Sequence, residues 1–457
     1  MHVDSDSSAG SVKPLDESSR TGRQVALLIS SCWWAFTARI ALRFAALGWR
    51  VEAICPAGHP LRATRAVARV YNYSALRPLA ALRTGIAAAR PELIVPCDDR
   101  AVAQLHDLHA RQDDADIAAV QVIARSLGRP ENYPIAVRRS RLIQIAHEQG
   151  LRAADMRAVS TAEELEAAIN AFGLPIVLKV DGTWGGLAVQ VAQTADEART
   201  MHAGLARRLC AVRTMKRLLV DRDPYSLLPW LTRARPQVNA QRFVCGHPAN
   251  SVAACHNGEV LASIHVEVLE AQRELGPARI VRVIDHPDMQ LATRRLVQRL
   301  GLSGFCGFDF MIEASTGHAD LVEMNPRSTP LCHLALGPGR DPIAALTAQL
   351  EDRPPPVAAA VTDNPVIAYF PQALQFARDS AWLSTSYHDV PWDDPGLIRE
   401  LTGLPYPDRG MVARFYRSAR RSDRERLQRR RLASSKADDS EADLGPHTNA
   451  ALKAWRP

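Results

Sequence analysis

The sequence predicts an open, parallel α/β sheet followed by an α+β domain. The first part rests on short apolar strands at residues 25–30, 51–54 and 93–95, which alternate with helical patterns at 36–47 and 79–89. Alternation of strands and helices is typical of parallel sheets. The second part rests on longer alternating strands joined by glycine-containing turns, which is the pattern of antiparallel hairpins.

The overall composition limits the class of protein. A chain of 457 residues is long enough for two or three domains with their own cores. No apolar run approaches the roughly 18 residues that a membrane span needs, and the N-terminus lacks a signal pattern. The eight cysteines are scattered without C-x-x-C pairs, so we interpret them as reduced packing residues. We therefore expect a cytoplasmic protein with no membrane partner.

The positive charge of the chain is concentrated in its tail. The formal net charge is +7, but the residues from Arg417 onward hold eleven Lys and Arg against six Asp and Glu, a balance of +5. The first 416 residues therefore carry only +2. We do not expect a nucleic-acid partner for the folded part, and an RNA or membrane-surface role of the tail stays an alternative.

A paired-strand pattern at residues 304–327, GFCGFDFMIEASTGHADLVEMNPR, is the most informative stretch. A turn centred on residue 316 places Asp309 opposite Glu323. Strict alternation places Leu321, Glu323 and Asn325 on one face of the second strand. Two carboxylates and an amide oxygen suit Mg²⁺, and the guanidinium of Arg327 suits phosphate or carboxylate. Because bulky apolar residues flank the acids, we expect a buried or cleft-lining hairpin rather than a solvated one.

A second polar pattern lies upstream, at residues 173–192. Strands at 176–180 and 187–191 flank a loop that contains Gly182, Gly185 and Gly186. Glycines let backbone N–H groups approach phosphates closely. Lys179 lies within the first strand among apolar residues, where a buried ammonium requires an anionic partner. A helix beginning at a capping box, Thr161 to Glu164, precedes this unit.

These motifs, in this order, resemble the ATP-grasp superfamily, which includes carboxylate-amine ligases and the large chain of carbamoyl phosphate synthase. The resemblance covers about residues 25–350 and implies an ATP-grasp fold with an N-terminal Rossmann-like pre-ATP-grasp domain. We accordingly expect a disordered N-terminus (1–22), a pre-ATP-grasp domain (23–130), an ATP-grasp domain of two subdomains clasping ATP (131–350), a C-terminal covering region (351–417) and a basic, disordered tail (418–457).

The resemblance also implies the cofactors and the site residues. The cofactors are ATP and Mg²⁺, with two ions expected and Mn²⁺ as a substitute. The implied metal ligands are Asp309, Glu323 and Asn325; the implied nucleotide contacts are Arg141, Lys179, Gly185, Gly186, Gln241, Phe243 and Val244; and the implied catalytic residues are Arg327, Arg282 and Lys179. Arg282 is preferred to Arg279 because it shares a strand face with Ile280 and Ile284. For Arg141 and Arg282, a role as surface arginines stays open.

The chemistry implied by the resemblance is activation of a carboxylate by ATP as an acyl phosphate, with release of ADP, followed by attack of an amine. The partners are then a small-molecule carboxylate and a small-molecule amine. Two alternatives remain: a kinase or thiol ligase on the same fold, and an ATP-binding regulatory protein without turnover. The sequence leaves the substrates and the oligomeric state open, a homo-oligomer included.

Several other residues have two interpretations. Trp33, Trp34, Asp98 and Asp99 follow parallel strands, where loops open onto ligand crevices. The tryptophans can equally pack against helices, and the acids can cap the helix that follows. His333 either lines an acceptor pocket or is structural. We expect residues 351–417 to cover one edge of the site or to pair subunits.

Overall fold

A computed structural model of the chain describes residues 24–404 and 409, apart from 112–116, 137, 182–188, 207–236, 273–275, 358 and 378–379. The predicted loop glycines Gly185 and Gly186 lie outside the described residues, as do both termini. The described part contains three sheets.

The first sheet is parallel, as predicted. It consists of β1 (Val25–Ile29), β2 (Arg50–Cys55), β3 (Val67–Asn72) and β4 (Leu93–Pro96), in the order β3-β2-β1-β4. The edge strand β3 was not predicted, because its residues are half-buried or exposed and form no apolar run. Four helices belong to this part: α1 (Thr37–Ala46), α2 (Pro78–Ala89), α3 (Asp99–Arg111) and α4 (Ile117–Leu127).

The second sheet is antiparallel and carries the predicted lysine. It consists of β5 (Met156–Val159), β6 (Ile176–Val180), β7 (Val189–Ala192) and β8 (Val238–Arg242), in the order β5-β8-β6-β7. The helices α5 (Tyr133–Ala136) and α6 (Arg139–Glu148) precede it. The helices α7 (Ala162–Phe172) and α8 (Ala195–Leu205) cover its apolar face. The predicted capping box is present at the start of α7.

The third sheet has seven strands in the order β13-β12-β9-β10-β11-β14-β15. They are β9 (Gly246–His256), β10 (Glu259–Ala271), β11 (Ala278–Val283), β12 (Gly304–Glu313), β13 (Ala319–Asn325), β14 (Val366–Ala368) and β15 (Tyr387–His388). The remaining helices are α9 (Pro287–Leu300), α10 (Pro342–Leu350), α11 (Gln372–Phe376) and α12 (Pro395–Thr402). Strands from the C-terminal region thus extend this sheet at one edge.

The β12–β13 hairpin has the predicted register at its acids but not along its whole length. Asp309 pairs with Glu323, whereas the next pair is Phe310 with Leu321, so β13 contains one extra residue at this point. Such a bulge shifts the alternation of side chains by one position. Leu321 therefore packs with Phe308 and Phe310 in the core. The prediction that Leu321 shares a face with Glu323 is wrong.

The first and third sheets share one apolar core. Phe44 of α1 meets Phe305 of β12 edge to face, with ring centroids 6.3 Å apart. Trp49 Nε1 donates a hydrogen bond to Glu351 Oε1 over 2.7 Å. The described cysteines form no disulfide with one another, and most of them are buried, as the packing interpretation predicts. Within the described residues, no helix has the length and apolar character needed to cross a membrane.

The buried face of the hairpin makes a stability prediction. Replacing Phe308 with Ala leaves a cavity in the core against α6 and α9, and we expect a loss of about 3–5 kcal/mol in the free energy of unfolding. The control is Leu291→Ala on α9, since Leu291 is 42% exposed and its truncation is expected to cost about 0.5 kcal/mol. Urea denaturation measures both variants. Equal losses would contradict the placement of Phe308 in the core.

Candidate functional site

Asp309 and Glu323 lie side by side on one face of the hairpin, and amide side chains surround the first of them. Asn250 Nδ2 donates a hydrogen bond to Asp309 Oδ1 over 2.6 Å, from the position directly opposite on β9. Asn325 Nδ2 donates to Asp309 Oδ2 over 3.1 Å. We call Asp309, Glu323 and Asn325 the carboxylate cluster. The hairpin brings its three members together as predicted.

The electrostatics of the carboxylate cluster favour a cation. Burial, and next the negative charge of Glu323, raise the pKa of Asp309 from 3.8 to about 6, although the bonds from Asn250 and Asn325 oppose the shift. Within the described residues, no group of three or more His, Cys, Asp or Glu side chains forms a metal site. Two carboxylates completed by an amide oxygen and by phosphates are the ligands that Mg²⁺ commonly takes, so the cluster fits this ion.

Arg139, at the start of α6, joins the second sheet to the carboxylate cluster. Its Nη2 donates to Glu323 Oε1 over 2.7 Å, and its Nη1 donates to the carbonyl oxygen of Val180 over 2.6 Å. Asp181 Oδ1 lies 3.6 Å from Nη1. Burial alone lowers the pKa of Arg139, but Glu323 and Asp181 outweigh it and raise the pKa. Arg139 is therefore a charged bridge between the two sheets.

Lys179 faces the same junction from β6. It is buried, and its backbone pairs with Asn239 of β8, whose side chain donates to Asp181 Oδ1 over 2.9 Å. Burial, and then Arg139, lower the pKa of Lys179, whereas Glu323 and Asp309 oppose the shift. Two cations thus face two carboxylates across the junction. This arrangement suits a ligand that brings both negative and positive charge.

Arg327 connects the carboxylate cluster to the first sheet. Its Nε donates to Asp99 Oδ1 over 2.9 Å, and its Nη2 donates to Asn325 Oδ1 over 3.0 Å. Burial lowers the pKa of Arg327, but the nearby carboxylates, Asp99 first, raise it by more. The guanidinium is therefore held charged between β13 and the carboxyl end of β4.

Asp98, Asp99, Trp33 and Trp34 follow strands at this edge of the first sheet, and each could either face a ligand crevice or have a structural role. Asp98 accepts from Ala101 N over 2.9 Å and from Ser31 N over 2.6 Å, so it caps α3 and ties down the loop after β1. Asp99 contacts Arg327 instead. Trp34 packs against Phe36, with ring centroids 5.8 Å apart, and Trp33 packs against a small core formed with the C-terminal region.

Two of the predicted arginines lie away from the carboxylate cluster. Arg141 is on the outer side of α6, with Nη1 3.4 Å from Glu148 Oε1, and it lines an open groove of about 810 Å³. Arg282 donates to Glu267 Oε1 over 2.7 Å, and its guanidinium lies 5.5 Å from the ring centre of Trp382. By the strand register, Glu267 aligns with Ala249 and so lies on the sheet face opposite to Asp309. Neither arginine is brought to the junction.

Three of the predicted nucleotide contacts, Gln241, Phe243 and Val244, lie at the end of β8. Gln241 is buried, and its Nε2 donates to the carbonyl oxygens of Ala154 and Val322, each over 3.3 Å. Phe243 and Val244 follow β8, and Val244 is buried. The strand register places Gln241 on the same sheet face as Lys179 and Asn239.

Arg139 and Asn250 contact the carboxylate cluster and were not predicted from the sequence. Arg139 lies one helical turn before Ile143, which is buried, so the helical period was a signal for its inward direction. Asn250 carried no comparable signal, because its partner Asp309 is distant in sequence. Asp99 was one of the residues with two interpretations, and it reaches Arg327.

Two sheets face each other across a charged junction, with a lysine on one and acids on the other, as expected for an ATP-grasp fold. The chain has this fold. Residues 138–337 match the family model described as the carbamoyl-phosphate synthase L chain, ATP binding domain. The family resemblance and the fold class predicted from the sequence are confirmed.

Relatives and solved structures agree with this identification. The carbamoyl phosphate synthase large chain of Methanothermobacter thermautotrophicus is 25% identical over 194 residues, which are 42% of this chain and 17% of the relative. The chain thus spans about a sixth of the length of the curated relatives it matches.

Solved structures of several proteins share the fold. N5-carboxyaminoimidazole synthase from Aspergillus clavatus, in complex with ADP and 5-aminoimidazole ribonucleotide, is 13% identical with a TM-score of 0.53, covering 75% of this chain and 81% of its own. L-amino acid ligase from Bacillus licheniformis is 14% identical with a TM-score of 0.52, covering 72% and 76%. The biotin carboxylase domain of Hydrogenobacter thermophilus 2-oxoglutarate carboxylase, with MgADP and bicarbonate, is 12% identical with a TM-score of 0.50, covering 70% and 69%.

The raised pKa of Asp309 makes magnesium binding depend on pH. The pKa of Asp309 is about 6 in the folded state and 3.8 ordinarily. Protonation of Asp309 therefore stabilises the metal-free fold, fully below pH 3.8, and this stabilisation is lost as the pH rises through 6. Mg²⁺ needs the ionised carboxylate, so its affinity is expected to fall about tenfold per pH unit below 6. Thermal shift with MgADP between pH 5 and 8 measures this dependence.

Two variants check this assignment. Asp309→Asn should weaken the MgADP-dependent stabilisation at every pH, whereas Asp288→Asn, at a carboxylate beside His318, should leave the pH dependence unchanged. An unaltered pH dependence in Asp309→Asn would contradict the role of Asp309.

Proposed function

We propose that the chain is an ATP-dependent, ADP-forming ligase that activates a carboxylate as an acyl phosphate and transfers the acyl group to an amine. The observation that carries the proposal is the junction itself, where Lys179 and Arg139 face Asp309 and Glu323. Phosphoryl transfer depends mainly on positioning and on neutralising charge, and this junction supplies groups of both signs.

Each residue of the junction has a role in this proposal. Asp309, Glu323 and Asn325 hold Mg²⁺, two ions in the fuller form of the proposal, and Mn²⁺ can replace it. Bound Mg²⁺ neutralises the charge that develops on the phosphate oxygens. Lys179 and Arg139 bind phosphate oxygens, and the Gly185-Gly186 loop and the end of β8 stay proposed nucleotide contacts.

Arg327 binds the activated carboxylate in this proposal. Its guanidinium is fixed by Asp99 and Asn325, so it is oriented before a substrate arrives. Arg282 and Arg141 are left out, because they lie away from the carboxylate cluster.

The names of proteins with the same fold support a carboxylate-amine ligase, because they include an L-amino acid ligase and a carboxyaminoimidazole synthase. The substrates we propose are accordingly a small carboxylate and a small amine, in the cytoplasm, where ATP is available. A kinase or thiol ligase on this fold, or an ATP-binding regulatory protein, would give a different product pattern in the assay below.

The reaction class is tested by incubating the full chain with Mg-ATP, pooled carboxylates and pooled amines. We expect ADP, phosphate and a condensed product whose mass is the sum of one carboxylate and one amine less water. Replacing Glu323 and Asn325 together with Ala should lower turnover at least ~100-fold, since this removes two of the three metal ligands. AMP as the product would contradict the acyl phosphate.

The controls separate the alternatives. Glu313→Ala removes an acid from the far end of the same hairpin, beside Thr316, and should not change turnover. ADP formed with a phosphorylated product that no amine consumes would identify a kinase. Tight Mg-ATP binding without turnover in any pool would favour a regulatory protein.

The two arginines of α6 form a matched pair that tests the phosphate-binding role. Arg139→Ala should weaken Mg-ATP binding about 10- to 100-fold, because it removes a charge-assisted donor from the junction. Arg141→Ala, on the outer side of the same helix, should change binding less than about twofold. Isothermal titration calorimetry measures both, and a larger effect of Arg141→Ala would reverse the assignment.

A further inference from the structure

A buried His–Asp pair joins the segment that follows β13 to the C-terminal region. His333 Nε2 is 3.1 Å from Asp389 Oδ2, and the His333 side chain is 8% exposed. Among the described residues, His333 Nδ1 has no hydrogen-bond partner although it is buried. We call His333 and Asp389 the dyad.

Asp389 is itself fixed by two further donors. Arg39 Nη1, from α1, donates to Asp389 Oδ2 over 2.6 Å, and the backbone N–H of Phe370 donates to Oδ1. Since an ionised carboxylate only accepts hydrogen bonds, His333 Nε2 carries the proton in this contact. Nδ1 of neutral His333 therefore presents its lone pair, which is the state of a general base.

A second buried histidine, His265, has a different hydrogen-bonding pattern. His265 is bonded at both ring nitrogens, to Ser251 Oγ over 2.6 Å and to Ser263 Oγ over 3.1 Å. Its hydrogen-bonding capacity is used up. His333 differs because only one of its nitrogens has a partner among the described residues.

The dyad lies near Arg327, the proposed carboxylate-binding residue, along the chain and at the same edge of the first sheet. His333 lies six residues after Arg327, and its neighbour Cys332 is close enough to Arg327 for the two to interact electrostatically. Arg39 lies in the first turn of α1, at the same edge of the first sheet as Asp99. The dyad thus lies at the carboxyl edge of the first sheet, the same edge to which Asp99 holds Arg327.

We propose that His333, oriented by Asp389, is the base that takes the proton from the attacking amine. This inference rests on the proposed ligase function. Nδ1 takes one proton from the protonated amine. The free amine nitrogen then forms the C–N bond as the C–O bond to phosphate breaks, and its second proton leaves with the phosphate as hydrogen phosphate. The products are the amide, inorganic phosphate and protonated His333, which then releases its proton to water.

The surroundings of His333 keep it neutral before the reaction. Burial, and then the positive charge of Arg39, lower the pKa of His333, whereas Asp389 opposes the shift. The other titratable groups near Asp389 are Tyr369 and Tyr387, whose pKa values are raised first by burial, so both are uncharged at neutral pH. Protonation during the reaction is then supported by the fixed carboxylate of Asp389.

The test distinguishes loss of the base from a general loss of activity by comparing a protonated amine with an unprotonated one. His333→Gln in the full chain keeps an N–H that can donate to Asp389 but has no basic nitrogen. With the carboxylate found in the pooled assay, we expect amide formation from ammonium chloride to fall about 10²- to 10⁴-fold. Hydroxamate formation from hydroxylamine, which is largely unprotonated at neutral pH, should change less than about threefold.

The matched control is a second His–Asp pair. His318 Nδ1 lies 2.9 Å from Asp288 Oδ2 at the tip of the hairpin, and the His318 side chain is 54% exposed. His318→Asn should leave both products unchanged. The pH profile gives a further readout: the acidic limb of the rate with ammonium should be lost in His333→Gln and retained in His318→Asn.

The outcomes distinguish this inference from the function on which it rests. If the unaltered chain forms both products and His333→Gln loses both equally, or neither, then His333 is not the base although the ligase assignment stands. If the unaltered chain forms neither product, the function fails. In that case ¹⁵N NMR of the full chain still decides the dyad, since a proton on Nδ1 at pH 7 would overturn it and a neutral Nε2–H ring would support it.

Discussion

The molecule depends on two acidic side chains, Asp309 and Glu323, which a β-hairpin holds next to each other at a partly buried junction. Burial and like charge together disfavour the ionised acids of the folded state, as the raised pKa of Asp309 indicates. Their partners come from separate parts of the chain: Asn250 from β9, Asn325 from β13 and Arg139 from α6. The acids are tolerated only when these elements are packed together.

The ion pairs of the junction also explain how it can accept a magnesium nucleotide. Breaking a buried pair by removing one partner leaves an uncompensated charge, which is strongly unfavourable. A ligand that brings a cation and an anion together avoids this cost, because the acids gain the cation while Arg139 and Lys179 gain the phosphates. Without a ligand, Arg139 and Glu323 therefore neutralise each other. When the ligand binds, its cation replaces Arg139 as the partner of Glu323, and its phosphates replace Glu323 as the partner of Arg139.

Local patterns in the sequence were sufficient for the hairpin, the capping box and the parallel sheet, because each depends on residues that are close along the chain. Counting outward from the turn gave the pairing of Asp309 with Glu323, but the bulge that turns Leu321 into the core leaves no local signal. Alternation correctly grouped Arg282 with Ile280. The sheet face on which Arg282 lies depends on the register across β11, β10, β9 and β12. That register is a tertiary property, so local alternation does not reveal it.

The C-terminal region shows why part of the site was beyond prediction. No motif marks residues 366–389, yet β14 and β15 extend the third sheet and place Asp389 against Arg39 and His333, which are 350 and 56 residues away in sequence. Burial, and then the positive charge of Arg39, lower the pKa of His333, which favours the neutral ring. An acyl phosphate reacts with an unprotonated amine, whereas most amines are protonated at neutral pH. In the proposal, the neutral imidazole that Asp389 orients removes that proton locally. A segment without a motif thus supplies the part of the chemistry that the ATP-binding residues do not.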